Sequence, residues 1–155
     1  MNTLVVYYSR TGNNKSIAEI IAKSISADLD EIIDKKDRSG VLGWLRAGKD
    51  SKSQNETEIE YSKNPQEYDT IVIGSPIWAG NIIPPLRTYL ESVDLSGKRV
   101  AFFICCKTEG YNEILPQLKE MTPEAIHIAT YGIQEKTFKE GTFEEELQDF
   151  ISKIQ

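Results

Sequence analysis

Five short apolar runs recur along the chain: Leu4 to Tyr8, Leu29 to Ile33, Thr70 to Gly74, Val100 to Cys105 and Ala125 to Thr130. The first, third and fourth are apolar almost throughout, as parallel strands covered by helices on both faces should be. Helix-period segments separate them. In the first, about Asn13 to Ala27, Ile17, Ile20, Ile21 and Ile25 recur at helical spacing while Lys15, Glu19 and Lys23 fall on other faces. Later segments follow Pro84 and Pro85 through Leu86, Leu90 and Val93, cover Tyr111 to Glu120, and close the chain from Phe143 to Ile154 through Leu147, Phe150 and Ile151. This alternation predicts an α/β fold: a doubly wound, five-stranded parallel sheet of order 2-1-3-4-5 with helices on both faces. Ligands of such sheets bind outside the C-terminal strand ends, beside the switch point. Three loops, after runs one, three and four, are therefore where function should sit.

A chain of 155 residues with 39% apolar content fits one domain, and residues 1–155 are expected to form a single unit. The stretch from Lys35 to Glu67 exceeds a minimal crossover and mixes a candidate short helix, Val41 to Ala47, with charged residues. Within it, Trp44 is a packing residue or a cover for a ligand. No run is long enough to cross a membrane and the start lacks a basic leader region, so a cytoplasmic protein without membrane insertion is expected. The net charge of −6 argues against general nucleic-acid binding and favours small molecules or proteins with basic patches. Lys35, Lys36, Arg38, Arg46, Lys49 and Lys52 form a basic block, while Glu140, Glu144, Glu145, Glu146 and Asp149 form an acidic one. Both read first as solvated faces. Cys105 and Cys106 are sequence neighbours without zinc-site spacing and read as small buried residues. His127, the one histidine, falls in the fifth run as a packed or edge residue. No catalytic acid, base, nucleophile or metal site is assigned.

The first loop reads Ser9, Arg10, Thr11, Gly12, Asn13, Asn14 and runs into the first helix. A helix start leaves N–H groups unpaired and carries partial positive charge, so it suits a phosphate. Ser9, Thr11, Asn13 and Asn14 can donate from short side chains, and Gly12 allows close approach or positive φ. An ordinary helix cap is the competing reading, since the same residue types cap helices. A Walker loop does not fit, because Asn14 stands where that pattern needs glycine before Lys15 and Ser16. The second loop, Ser75, Pro76, Ile77, Trp78, Ala79, Gly80 and Asn81, holds a tryptophan between turn formers, with a flat face for a planar heteroaromatic ligand or, alternatively, for the core. The third, Cys106, Lys107, Thr108, Glu109, Gly110 and Tyr111, places another aromatic residue beyond a polar turn.

Taken in order, these loops resemble those of the flavodoxin family, and the likeness covers essentially the whole chain. The Ser9 to Asn14 loop is similar to the family's phosphate-binding pattern, Trp78 to an aromatic of its second loop, and Cys106 to Tyr111 to its third. The resemblance implies noncovalent FMN, with Ser9, Thr11, Gly12, Asn13 and Asn14 at the phosphate and Trp78 and Tyr111 near the ring. Arg10, Pro76, Ile77, Ala79, Gly80, Cys106, Lys107, Thr108 and Gly110 are the other cofactor-binding residues that it implies. Asn14 stands where the family usually has threonine, and Lys107 and Thr108 replace small or acidic residues. The spacing from Thr130 to Phe143 has no room for the insertion of long-chain members, which implies a short-chain protein. A type II turn at Gly80, with the Ala79 carbonyl turning toward flavin N5 on reduction, is a further expectation. The implied role is an electron carrier, expected to be monomeric, between a reductase and an acceptor protein. The alternative is an FMN-dependent NAD(P)H:quinone-type oxidoreductase. A third class, a flavin-binding regulatory or interaction module without redox duty, shares its architecture with phosphorylation receivers and is disfavoured, since Tyr8, Ser9 and Arg10 stand where the receiver's acidic cluster belongs.

Overall fold

The computed structural model describes residues 2–36, 57–108 and 110–155. In chain order its elements are β1 (Thr3–Tyr7), α1 (Asn13–Ile25), β2 (Asp28–Glu31), β3 (Ile33–Asp34), β4 (Ile59–Glu60), a 3₁₀ turn (Pro65–Glu67), β5 (Thr70–Ser75), β6 (Ile77–Trp78) and β7 (Asn81–Ile82). Then come α2 (Pro84–Ser92), β8 (Arg99–Cys106), α3 (Tyr111–Met121), β9 (Ile126–Gln134), α4 (Glu135–Glu140) and α5 (Glu144–Ile154). The main sheet has five parallel strands in the order β2-β1-β5-β8-β9, which is the expected 2-1-3-4-5. The candidate helix Val41 to Ala47, Trp44, and Arg38, Arg46, Lys49 and Lys52 lie outside the described residues.

Side chains alternate across a strand, so each central strand supplies both layers of the core. Leu4, Val6, Ile71, Ile73, Phe102 and Ile104 face Leu86, Tyr89 and Leu90 of α2 and Ile114 and Leu118 of α3. On the opposite face Val5, Tyr7, Val72, Ala101, Phe103 and Cys105 meet Ile17, Ala18 and Ile21 of α1 and Leu147, Phe150 and Ile151 of α5. This double coverage explains the unbroken apolar runs of β1, β5 and β8.

Differences from the sequence reading lie at element ends. The helix α1 stops at Ile25, because Ser26 turns left-handed at φ 53° and the Ala27 N–H returns to the Ala22 carbonyl at 2.9 Å. The second run divides: β2 ends at Glu31, and Ile33–Asp34 pairs antiparallel with β4 instead of extending the main sheet. Buried Asp30 fastens that crossover by accepting the Ser62 and Lys63 N–H groups at 2.9 and 2.7 Å. Of the basic block, Lys35 pairs with Glu58 and Glu60 at 2.8 and 3.1 Å. The strand β9 continues to Gln134, four residues beyond the expected end, and the short α4 that follows it had no apolar periodicity to announce it. As an edge strand it is covered less fully, with Ile126 55% exposed.

Gly74 lies opposite Phe103 in the β5–β8 ladder, and a Cβ on it would stand 1.9 Å from that ring. Gly74→Ala should therefore destabilise the fold by about 1–3 kcal/mol through overpacking, read as a lower urea midpoint with an unchanged m-value.

Candidate functional site

The first loop leaves β1 with the Tyr8 N–H on the Gly74 carbonyl at 3.0 Å, which ties its start to β5. Gly12, at φ 93°, turns the backbone into α1, and the Ser9 hydroxyl accepts its N–H at 3.1 Å. That bond uses the oxygen of Ser9 and leaves its proton to be donated elsewhere. The first helical bond runs from the Ser16 N–H to the Gly12 carbonyl at 3.0 Å, and Gly12, the N-cap, has no side chain with which to cap α1. The N–H groups of Asn13, Asn14 and Lys15 thus precede the helical ladder, with the positive end of the helix dipole behind them. Thr11 is exposed beside them. The N-cap is Gly12, one of the residue types of the ordinary helix cap that is the competing reading of this loop.

Asn14 departs from expectation. Its side chain is only 3% exposed and points into the protein, donating to the Cys105 carbonyl at 3.3 Å and accepting the Cys105 N–H at 3.2 Å. The carboxamide expected at the phosphate is engaged on β8, and only the backbone N–H of Asn14 stays at the start of α1.

The second loop is a tight hairpin, Ile77–Trp78 paired with Asn81–Ile82. Both tip residues have positive φ, Ala79 at 51° and Gly80 at 73°, as in a type I′ turn, whereas the expected type II turn needs this only at Gly80. The right-handed twist of the two short strands selects this turn, and places alanine where a Cβ costs about 1–2 kcal/mol. Asn81 donates its side-chain N–H to the Ala79 carbonyl at 2.8 Å, holding the group expected to turn toward a ligand. Trp78 is not at the tip. It is 9% exposed, with its ring centroid 5.5 Å from that of Tyr8 at an interplanar angle of 83°. Pro76 and Ile77 are half-buried beside it.

In the third loop, β8 ends at Cys106, whose thiol donates to the Thr108 carbonyl at 2.7 Å. Cys105 and Cys106 face opposite sides of the sheet, and burial pushes the Cys105 thiol up to about 12 and the Cys106 thiol upward as well. Lys107 and Thr108 are exposed. Gly110, at φ 138°, precedes α3, and Tyr111 opens that helix. The Tyr111 ring lies flat on β9: a Cβ at Gly132 would be 2.3 Å from it.

The sheet order sets β1, β5 and β8 side by side, so the three loops share one edge. The two aromatic residues rest on different supports, Trp78 on Tyr8 past β1 and Tyr111 on β9. Three strand spacings, about 14 Å, separate those two strands. Glu135 was missed. It stands just past β9 with its side chain 18% exposed and pairs with Lys139 at 2.5 Å. The Lys139 contact, the nearby Asn13 carboxamide and the charges of Lys139 and Lys107 hold its carboxyl below the usual range. Glu135 is placed there because β9 runs on to Gln134, four residues beyond the end that the apolar run announces. Asn81 was visible only as a turn former. His127 lies in β9 with Nε2 at 2.9 Å from the Thr122 carbonyl. Among the described residues no group of three or more potential ligands is arranged for a metal, and no helix is long and apolar enough to cross a membrane.

The flavodoxin family model matches residues 2–154. A flavodoxin of Maridesulfovibrio salexigens is 28% identical over 109 residues, which make up 66% of this chain and 62% of that protein, so less than two thirds of the relative is spanned. A putative flavoprotein of Bacteroides uniformis superposes with a TM-score of 0.77 at 26% identity, covering 91% of this chain and 97% of that one. A flavoprotein of Lactobacillus acidophilus in complex with FMN has a TM-score of 0.74 at 22% identity, covering 95% and 98%, a likeness of fold.

The depressed Glu135 carboxyl has a pH signature. It contributes stability in full above the unfolded carboxyl range, lost as pH falls through its lower folded value. Urea midpoints measured from pH 6 down to pH 3 should fall less steeply in Glu135→Gln than in the parent.

Proposed function

From the premise that the chain belongs to the flavodoxin family, we propose that it binds FMN at the shared edge of its three loops and carries electrons between a reductase and an acceptor protein. The observation that supports this most is the start of α1, which has no side-chain cap and opens beside the ends of β5 and β8. The residues there fit the group. The N–H groups of Asn13, Asn14 and Lys15, the hydroxyl protons of Ser9 and Thr11, and the helix dipole would hold the phosphate without a lysine in the Walker position. Trp78 and Tyr111 would flank the ring, with Pro76, Ile77, Ala79, Gly80, Cys106, Lys107, Thr108 and Gly110 about it.

When bound, FMN supplies the redox chemistry. The protein sets its energetics through groups around the ring. Buried thiols at Cys105 and Cys106 stay protonated and add no charge near it. Lys107 adds positive charge on the third loop, part of it answered by Glu135. Asn81 restrains the Ala79 carbonyl, and so the tip of the second loop. The net charge of −6 suits partner proteins with basic docking faces.

The protein should bind FMN at one equivalent, with quenching of flavin fluorescence. Thr11→Ala should weaken FMN roughly tenfold or more, the scale of a hydrogen bond to a charged group, and leave riboflavin, which has no phosphate, within twofold. The holoprotein should oxidise NADH and NADPH only when a separate reductase is added. Rapid turnover without one would replace the carrier with the oxidoreductase.

A further inference from the structure

The strand β5 stops at Ser75, opposite Ile104, while β8 continues for two more residues. On its other side β8 stays paired to its end, Cys105 with Ile133 and Cys106 with Gln134. The N–H and C=O of one strand residue point the same way: the Cys105 N–H lies at the Ser75 carbonyl that ends the β5–β8 ladder, and the Cys105 carbonyl lies just beyond it, where Pro76 offers no N–H. Both groups are met by the single carboxamide of Asn14, at 3.2 and 3.3 Å, in a position 3% exposed. A primary amide has the donor and acceptor of a peptide group, and Asn14 thus takes the place of a further β5 residue. In the turn that follows, Cys106 to Thr108, the Cys106 thiol donates to the Thr108 carbonyl.

We infer that Asn14, although it lies in the phosphate-side loop, is a positioning residue for the ring-side loop: its carboxamide fixes the end of β8 and with it the turn that leads to Lys107, Gly110 and Tyr111. The inference rests on the FMN reading above and assigns Asn14 a task different from the one its place in the sequence implies. Without the carboxamide, the buried Cys105 carbonyl loses its partner and the Cys105 N–H its second acceptor, and the end of β8 must move or admit water to compensate. The loss is felt by the flavin ring and not by the phosphate, because the backbone N–H of residue 14 survives the substitution.

The test titrates FMN and riboflavin, in parallel, into the parent, Asn14→Ala and Asn14→Thr, at a temperature where each is fully folded. Asn14→Ala should weaken both flavins by about tenfold with the FMN-to-riboflavin ratio changed less than twofold. Asn14→Thr, whose hydroxyl reaches only one of the two Cys105 groups, should weaken both by about threefold, and it carries the test if the alanine variant does not fold. Amide exchange at Cys105 should accelerate in either variant while that of Val72 does not, which separates local release of β8 from general destabilisation. Loss of FMN affinity alone, with riboflavin unchanged, would return Asn14 to the phosphate and overturn the inference, as would unchanged binding of both. A parent protein that binds neither flavin would instead overturn the FMN reading itself.

Discussion

Burial of the central strands on both faces is the constraint from which the rest follows. With Leu4 and Val6 against one helix layer and Val5 and Tyr7 against the other, β1 has no exposed face on which to carry chemistry. The same holds for β5 and most of β8. Chemistry is displaced to the strand ends, and because the strands are parallel, the ends of β1, β5 and β8 lie at one edge. The crossover connections put β2 outside β1 and β8 outside β5, so the first loop diverges from the second and third and leaves a crevice between them.

At that edge, unequal strand lengths create backbone groups that need partners. The neighbouring loops supply them. Tyr8 donates to Gly74, Ser9 receives the N–H of Gly12, and Asn14 answers both groups of Cys105. Polar side chains are thereby withdrawn from the cradle, and what faces outward at the start of α1 is mainly backbone amide. Such a site recognises an anion by geometry and dipole with little formal charge.

The hairpin at Ala79 and Gly80 shows the opposite economy. Its two-residue connection demands left-handed backbone at both positions, and only one of them is glycine. The strain at Ala79 persists because the ladder at Ile77 to Ile82 and the Asn81 carboxamide overdetermine the turn. Trp78, next to it, anchors the hairpin by burying its ring against Tyr8. An aromatic residue that looked like a loop tip therefore also serves as a foundation for that loop.

Residue order along the chain determined what depends on local periodicity. The alternation of doubly apolar runs with helix-period segments is written in Leu4 to Tyr8, Ile17 to Ile25 and Val100 to Cys105, and it sufficed for strand order, helix placement and the three loops. Family resemblance was legible for the same reason, since loop residues such as Ser9 to Asn14 are contiguous. Element ends were less legible, because β9 past Thr130 and the division of β2 from β3 are decided by which neighbour a strand finds. Side-chain direction in the loops belonged to tertiary structure alone. Asn14 could donate to a ligand or to a strand, and the sequence holds both possibilities equally. Only the early end of β5, 61 positions away at Ser75, left the Cys105 carbonyl without a strand partner, and that carbonyl takes the Asn14 carboxamide. The same applies to Tyr111 over Gly132 and to the Asn13 contact of Glu135, which the folding of distant segments brings close, whereas Lys139 meets Glu135 from one turn along α4.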